Sequence, residues 1–280
     1  MSRRVLILTH PTRVEAGQMA DHVAVELLKR GLEPVTEIDD GEFELAMVLG
    51  GDGSILHAAE TTLERGIPIV GVNMGHVGFL AEGEVEHISD VVRRAAERDY
   101  EVEERMTLEV TVEHPESGRV ERGWALNEAT VEKVERSRMI DVAIGIDGLG
   151  VSSFGCDAVV MSTPTGSTAY AFSGGGPVVW PDVEALLLVP ISAHALFARP
   201  MVVGPDSVLA VEILHRSSAA GEVWCDGRRV LDAPLGSHIE VRKGTKPVRL
   251  ARLNPGPFTD RLVRKFNLPV TGWRGGPEKR

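Results

Sequence analysis

A single acid stands among three glycines at Gly50, Gly51, Asp52 and Gly53. Glycines let the backbone approach a bulky anionic ligand, and the N–H groups that open a helix favour phosphate there. A carboxylate repels phosphate, so Asp52 in such a turn points to proton transfer rather than grip. Asp-Gly is also a common hairpin signal, so the loop alone decides nothing. Its neighbours supply a context: the apolar run Leu45–Leu49 leads in, and Ile55, Leu56, Ala58 and Ala59 lead out. That is a buried strand, a glycine turn and a helix start. A second glycine loop, with Gly75, Gly78 and Phe79, follows the next β-branched run and by itself reads equally as an ordinary connection.

Four polar clusters lie further on. Asn127 and Glu128 interrupt a β-like run; an amide and a carboxyl side by side can hold a ribose diol or an adenine edge, or simply form a polar turn. Next, a buried run leads from Gly155, Cys156 and Asp157 into Ser162, Thr163, Thr165, Ser167, Thr168, Ala169, Tyr170 and Ser173 and the glycines 174–176. So many hydroxyls and free amides suit an already charged ligand such as a dinucleotide, on which Tyr170 could stack. Residues 190–200 set His194 and Arg199 among apolar neighbours, as a satisfied core pair or as ligand contacts. Finally, Asp226, Gly227, Arg228 and Arg229 make a hairpin tip that could add a cation to a phosphate.

Composition narrows the classes. The 280 residues suffice for two domains, and 43% hydrophobic residues allow a core in each. A net charge of −11 disfavours a nucleic-acid surface. Cys156 and Cys225 lack metal-ligand spacing and read as buried hydrophobes. Nothing reads as a signal peptide or a membrane span, so a cytoplasmic protein is expected. Walker, GxGxxG, HExxH and nucleophile-elbow patterns are absent.

In chain order, residues 5–9 read as a buried strand, and the helical face of Met19, Val23, Leu27 and Leu28 ends at Gly31. Strands are expected at 34–38, 45–49 and 67–72, with helices from the glycine turn to about residue 65 and over 85–97. This alternation predicts a parallel sheet with right-handed crossovers, and ligands at the strands' carboxyl ends, where residues 50–53 and 73–78 lie. Beyond Tyr100 helical periodicity fades, and strands are expected at 106–112, 120–124, 125–134, 140–146, 151–154, 186–189, 208–214, 222–225 and 238–242. Phe258–Phe266 reads as a last helix that packs back on the first domain, where Leu262 and Phe266 can be buried. The tail from Trp273 is expected to be disordered. The fold class is therefore an α/β domain over 1–100, a mainly β domain over 101–257 and a C-terminal helix and tail over 258–280.

Six motifs in order, LGGDGSILHAAE, GHVGFLAE, LNEATVEK, STPTGSTAYAFSGGGPVV, PISAHALFARPMVV and WCDGRR, resemble the bacterial NAD kinases over nearly the whole chain. The C-terminal FTDRLVRKFNLPVTGWRG looks most like actinobacterial versions. The resemblance implies Mg²⁺-dependent phosphoryl transfer from ATP or polyphosphate to the 2′-hydroxyl of the adenosine ribose of NAD. It makes Asp52 the general base and Gly50, Gly51 and Gly53 the donor-phosphate loop, with the metal held mainly by donor phosphates. Asn127 and Glu128 would hold the adenosine part, Asp157 of a neighbouring subunit the adenine end, and Thr165, Thr168, Ala169, Tyr170 and Ser173 the pocket wall. Gly53, His57, Phe79, Arg138, Ser192 and Arg228 stand at further NAD-contact positions. The chain departs from the family at Gly155, often basic, at His57, often arginine, and at Arg228, often glutamine. A dimer or tetramer formed through the β domain is also implied.

The sequence leaves two other readings open. A lipid or sugar-phosphate kinase could share the glycine-aspartate loop, although a lipid acceptor needs an apolar cleft. A non-catalytic NAD-binding sensor would need no base.

Overall fold

The computed structural model describes residues 3–9, 14–75, 78–254 and 256–270. His76 and Val77 of the second glycine loop, and the tail from Trp273, lie outside the described residues. In chain order the first elements are β1 (Arg3–Thr9), α1 (Val14–Lys29), β2 (Leu32–Val35), β3 (Leu45–Leu49), α2 (Asp52–Thr62), β4 (Ile69–Asn73), β5 (Gly83–Glu84), α3 (Ile88–Glu97) and β6 (Glu101–Arg105). There follow β7 (Leu108–Glu113), β8 (Val120–Ala125), β9 (Glu128–Lys133), β10 (Ile140–Ile146), β11 (Leu149–Cys156), β12 (Ala158–Ser162), α4 (Tyr170–Ser173) and β13 (Leu186–Ile191). The last are β14 (Met201–Val203), β15 (Leu209–Ile213), β16 (Gly221–Cys225), β17 (Arg229–Ala233), β18 (His238–Lys243), β19 (Val248–Arg252) and α5 (Phe258–Phe266).

The chain forms two compact units, one of Met1–Glu104 with Val248–Arg280 and one of Arg105–Pro247. The divisions thus fall at 104 and 247, where 100 and 257 were expected, because β19 pairs in parallel with β4 and joins the first unit's sheet.

In the first unit the strand order is β2-β1-β3-β4-β19-β6, with β5 beside β4. The pairs β1–β2, β1–β3 and β3–β4 are parallel, as alternating strands and helices require. Every residue of β3 is buried, since helices cover both faces. Leu45, Met47 and Leu49 join Val23 and Leu27 of α1 and Val91 and Val92 of α3 in one core. Helix α2 packs on β3 and β4 through Ile55, Ala58 and Ala59. The second strand lies at Leu32–Val35 rather than 34–38; as the edge strand it tolerates Pro34, which cannot donate to a ladder. The final helix begins and ends where the periodicity placed it, and Phe258 and Phe266 set their rings against Phe79.

The second unit holds two six-stranded sheets, ordered β11-β10-β15-β18-β7-β8 and β14-β13-β12-β9-β16-β17. Alternating inward residues of β7, β10 and β15 meet those of β9, β12 and β16 in one buried cluster. Strand β12 shows no alternation because Ala171 of α4 packs on its other face at Val160. The expected strand 125–134 is broken: β8 belongs to one sheet and β9 to the other, so Leu126 and Asn127 mark the place where the chain changes sheets. Strands β5, β6, β14, β17 and β19, short or interrupted by charges, are not among those expected from the sequence, where β12 reads only as a buried run.

Candidate functional site

Asp52 opens α2, directly after the Gly51 N-cap, whose backbone is extended (φ −85°, ψ −169°). The first N–H groups of a helix have no partner within it, which gives the turn its affinity for anions. The Asp52 carboxylate itself turns to the second glycine loop. Phe79 N–H donates to its Oδ2 at 2.9 Å and Leu80 N–H to its Oδ1 at 3.0 Å. Gly78 is required there, because a Cβ would stand 2.2 Å from Asp52 Oδ1. The two glycine loops, unconnected in the sequence reading, are thus one structure with Asp52 as its link. Phe79 is buried, its ring centroid 5.8 Å from that of Phe258 and 5.9 Å from that of Phe266. His57 sits on the exposed side of α2 and pairs with Glu60 at 3.2 Å.

In the second unit a buried carboxylate organises the sheet change. Asp226, at the β16–β17 hairpin tip, accepts the N–H groups of Leu126 (3.0 Å), Asn127 (2.7 Å) and Glu128 (3.4 Å). Arg229, stacked 4.0 Å over the Trp124 ring, donates to the same carboxylate at 2.6 Å. Asp226 and Gly227 both adopt positive φ, 55° and 62°, which turns the tip inward. From the opposite side the Asn127 carbonyl accepts Thr163 N–H at 2.9 Å and Ser162 Oγ–H at 3.1 Å. Gly166 packs so close that a Cβ would lie 2.2 Å from that carbonyl oxygen.

The backbone of Asn127 and Glu128 is therefore fixed on both sides while their side chains stay available. Glu128 Oε2 is buried without a partner. Burial, reinforced by the nearby Asp226 charge, pushes the Glu128 carboxyl up to about 8, against the Tyr170 N–H that donates to it. At neutral pH Glu128 is thus a neutral acid that can donate a hydrogen bond. Burial also raises the Asp226 carboxyl, with the three N–H groups and Arg229 opposing the rise.

The hydroxyl-rich run divides into two kinds. Thr163 Oγ1–H donates to Leu126 O at 2.6 Å, and Ser167 Oγ–H donates to Pro164 O at 2.7 Å, so these hydroxyls fasten the turn itself. Thr165 is buried and takes Arg105 Nη1–H at 3.3 Å, and Thr168 donates to the Thr165 carbonyl at 3.4 Å. Ala169 is the N-cap of α4, along which Tyr170 and Ser173 lie, with Tyr170 exposed. Asp157 and Ser192, far apart in sequence, are hydrogen-bonded, and Lys133 Nζ donates to Asp157 at 2.5 Å. Lys133 and Ser192 hold the Asp157 carboxyl below its usual range, the lysine bond contributing most. Arg138 stands apart, donating to Ser218 O at 2.7 Å and pairing with Glu135 in its own loop. Arg228 is exposed at the hairpin tip and donates its N–H to Cys225 O.

Sequence reasoning missed two of these parts. Lys133, at the end of β9, supplies a cation beside Asp157. Asp226 was read only as part of a turn, and its depth inside the molecule has no sequence signature.

Residues 29–100 match the model of the ATP-NAD kinase N-terminal domain and residues 126–253 that of the ATP-NAD kinase C-terminal domain. An NAD kinase of Leifsonia xyli is 54% identical over 98% of this chain and 97% of its own length. The chain belongs to the NAD kinase family. An NAD kinase of Thermobifida fusca is 51% identical over 100% of this chain and 94% of its own. Among solved structures, an Archaeoglobus fulgidus NAD kinase in complex with ATP is 28% identical with a TM-score of 0.76, covering 95% of this chain and 100% of that one. Yeast NADH kinase complexed with NADH shares the fold, with a TM-score of 0.86 at 19% identity over 96% of this chain and 89% of that one. Curated relatives named NAD kinase are phosphotransferases, and this chain is an enzyme of that kind.

Proposed function

We propose that the enzyme transfers the γ-phosphoryl group of ATP, or the terminal phosphoryl group of polyphosphate, to the 2′-hydroxyl of the adenosine ribose of NAD. One observation carries the reading: two backbone N–H groups hold the Asp52 carboxylate at a helix start that follows a buried strand. Each oxygen keeps a further lone pair, so the group is oriented and still able to take a proton. In the step Asp52 takes the O2′ proton while O2′ bonds to the γ-phosphorus. The bond from that phosphorus to its bridging oxygen breaks, and ADP leaves. The Asn127 amide and the neutral Glu128 carboxyl hold the adenosine part, Tyr170 and its neighbours line the pocket, and Asp157 meets the adenine end from a second subunit.

Mg²⁺ fits this reading as a cation carried by the donor. Such an ion would be held through phosphate oxygens with few protein ligands. When bound it neutralises charge developing on the donor oxygens.

Self-association is the second part of the proposal. Leu196 and Phe197 are 90% and 82% exposed on the loop after β13, and Leu149 is 74% exposed on edge strand β11. The bridge between Gly155 and His194 ties the loop to the Gly155 end of β11, while Leu149 lies at the strand's other end. Among the described residues no helix is long and apolar enough to cross a membrane, and both cysteines are free. A reducing cytoplasm fits the two thiols.

The test is NADP formation with each donor, against NAD, diacylglycerol and fructose 6-phosphate as acceptors. Asp52→Asn is expected to lower kcat at least about a thousandfold with the Kd for NAD within threefold. Turnover with only the lipid or the sugar, or a parental rate in Asp52→Asn, would overturn the reading.

A further inference from the structure

The Asp52 carboxylate leans on a peptide group whose other end is held by the C-terminal helix. Leu80 N–H donates to Asp52 Oδ1 at 3.0 Å, and the carbonyl of that same peptide unit, Phe79 O, accepts Arg261 Nη1–H at 3.2 Å. Guanidinium, peptide and carboxylate form one hydrogen-bonded chain. The second arm of the Arg261 fork, Nη2, lies 2.5 Å from Glu82 Oε1. Glu82 is nearly inaccessible, with its side chain 2% exposed, and the same oxygen takes Arg252 Nη1–H at 2.5 Å. Arg252 also donates to the next carbonyl, Leu80 O, at 3.1 Å, and pairs with Glu103. Two guanidinium groups joined through one carboxylate therefore grip both carbonyls of the segment whose N–H groups hold Asp52.

We propose that Arg261 is a positioning residue for Asp52, acting through the Phe79–Leu80 peptide to fix and polarise the donor that orients the carboxylate. The inference rests on the reading of Asp52 as the base. Hydrogen bonds in series strengthen one another, so a cation on the carbonyl sharpens the N–H at the far end of the peptide. A planar fork with donors in fixed directions serves carbonyl and carboxylate together, which a lysine ammonium cannot reproduce in one pose. The Phe79 ring against Phe258 and Phe266 keeps the helix in register with the loop it supports. None of these contacts is needed to close the sheet, since β1, β3, β4 and β19 pair without them.

Arg261 also lines a cavity of about 200 Å³ together with Gly78, Glu82, Asn254, Asp260 and Arg264. That opening makes the guanidinium replaceable from solution. The full-length enzyme carrying Arg261→Ala is expected to lose kcat roughly tenfold, with KM for NAD and ATP within twofold. Millimolar methylguanidinium is expected to restore several-fold of the lost kcat, while methylammonium and potassium chloride at equal ionic strength do not. Arg261→Lys is expected to fall between the parent and Arg261→Ala, and it carries the same comparison if the alanine variant fails to fold.

A parental kcat in either variant overturns the proposal. So does a loss in which KM rises in step, the melting temperature drops and neither cation rescues, for then the helix only holds the fold. Asp52→Asn is assayed in parallel. If it turns over at the parental rate, the base reading fails and the positioning role with it. If it is inactive while Arg261→Ala behaves as the parent, the positioning role alone fails.

Discussion

Glu128 shows how burial rather than residue type decides chemistry. Its carboxyl is raised from 4.5 to about 8, chiefly by desolvation. Between these values the folded chain keeps a proton that the unfolded chain has released, so stability falls as pH rises through this window and levels off above it. The sign is opposite to that of a salt-bridged carboxylate, and the size is on the order of a few kcal/mol. Glu128→Gln removes the ionisation while keeping a donor and an acceptor. Thermal unfolding is expected to show the variant gaining stability over the parent as pH goes from 5 to 9. Parallel curves for the two proteins would mean that Glu128 is ionised in the folded state.

At the level of elements, the β16–β17 hairpin is a clamp on the junction between β8 and β9. Asp226 satisfies three successive N–H groups and a guanidinium from a nearly inaccessible position. Asp226→Ala leaves those N–H groups without an acceptor and is expected to cost about 3–5 kcal/mol in urea unfolding. Asp226→Asn keeps one acceptor and is expected to cost less, with KM for NAD rising because Asn127 and Glu128 lose their fixed backbone. A hairpin variant with unchanged stability and KM would show that the junction stands by itself.

This clamp also marks the limit of what can be read from the sequence. The parallel sheet, the glycine turn and the bounds of α5 were legible because apolar periodicity and local turn chemistry encode them within a few residues. The sheet change at Leu126 and Asn127 was not, since alternation looks alike whichever sheet a strand joins. Nor was the link from Asp52 to Phe79, 27 residues away, which depends on β3 and β4 lying side by side. Of the hydroxyl run, type and spacing announced a polar structure, but only the hydrogen bonds separate Thr163 and Ser167, which fasten the turn, from Tyr170 and Ser173, which remain outside it.

For the whole molecule, charge opposes assembly and apolar surface favours it. With a net charge of −11, two copies repel at low ionic strength, so association must draw on buried apolar area. Leu196 and Phe197 on the loop after β13, and Leu149 on edge strand β11, offer such area. Burying one Phe or Leu side chain is worth about 1.5–3 kcal/mol, so two copies meeting symmetrically gain from each residue twice. Phe197→Asp removes the apolar term and adds a like charge to each copy. Light scattering on a sizing column is expected to show the parent as a dimer or tetramer whose association tightens from 0.05 to 0.3 M salt as the repulsion is screened. The Phe197→Asp variant is expected to shift toward the monomer, and to lose affinity for NAD if Asp157 completes the pocket of a second subunit. An assembly indifferent to Phe197→Asp would place the contact on another face, and a monomeric variant with full NAD affinity would confine the pocket to one chain.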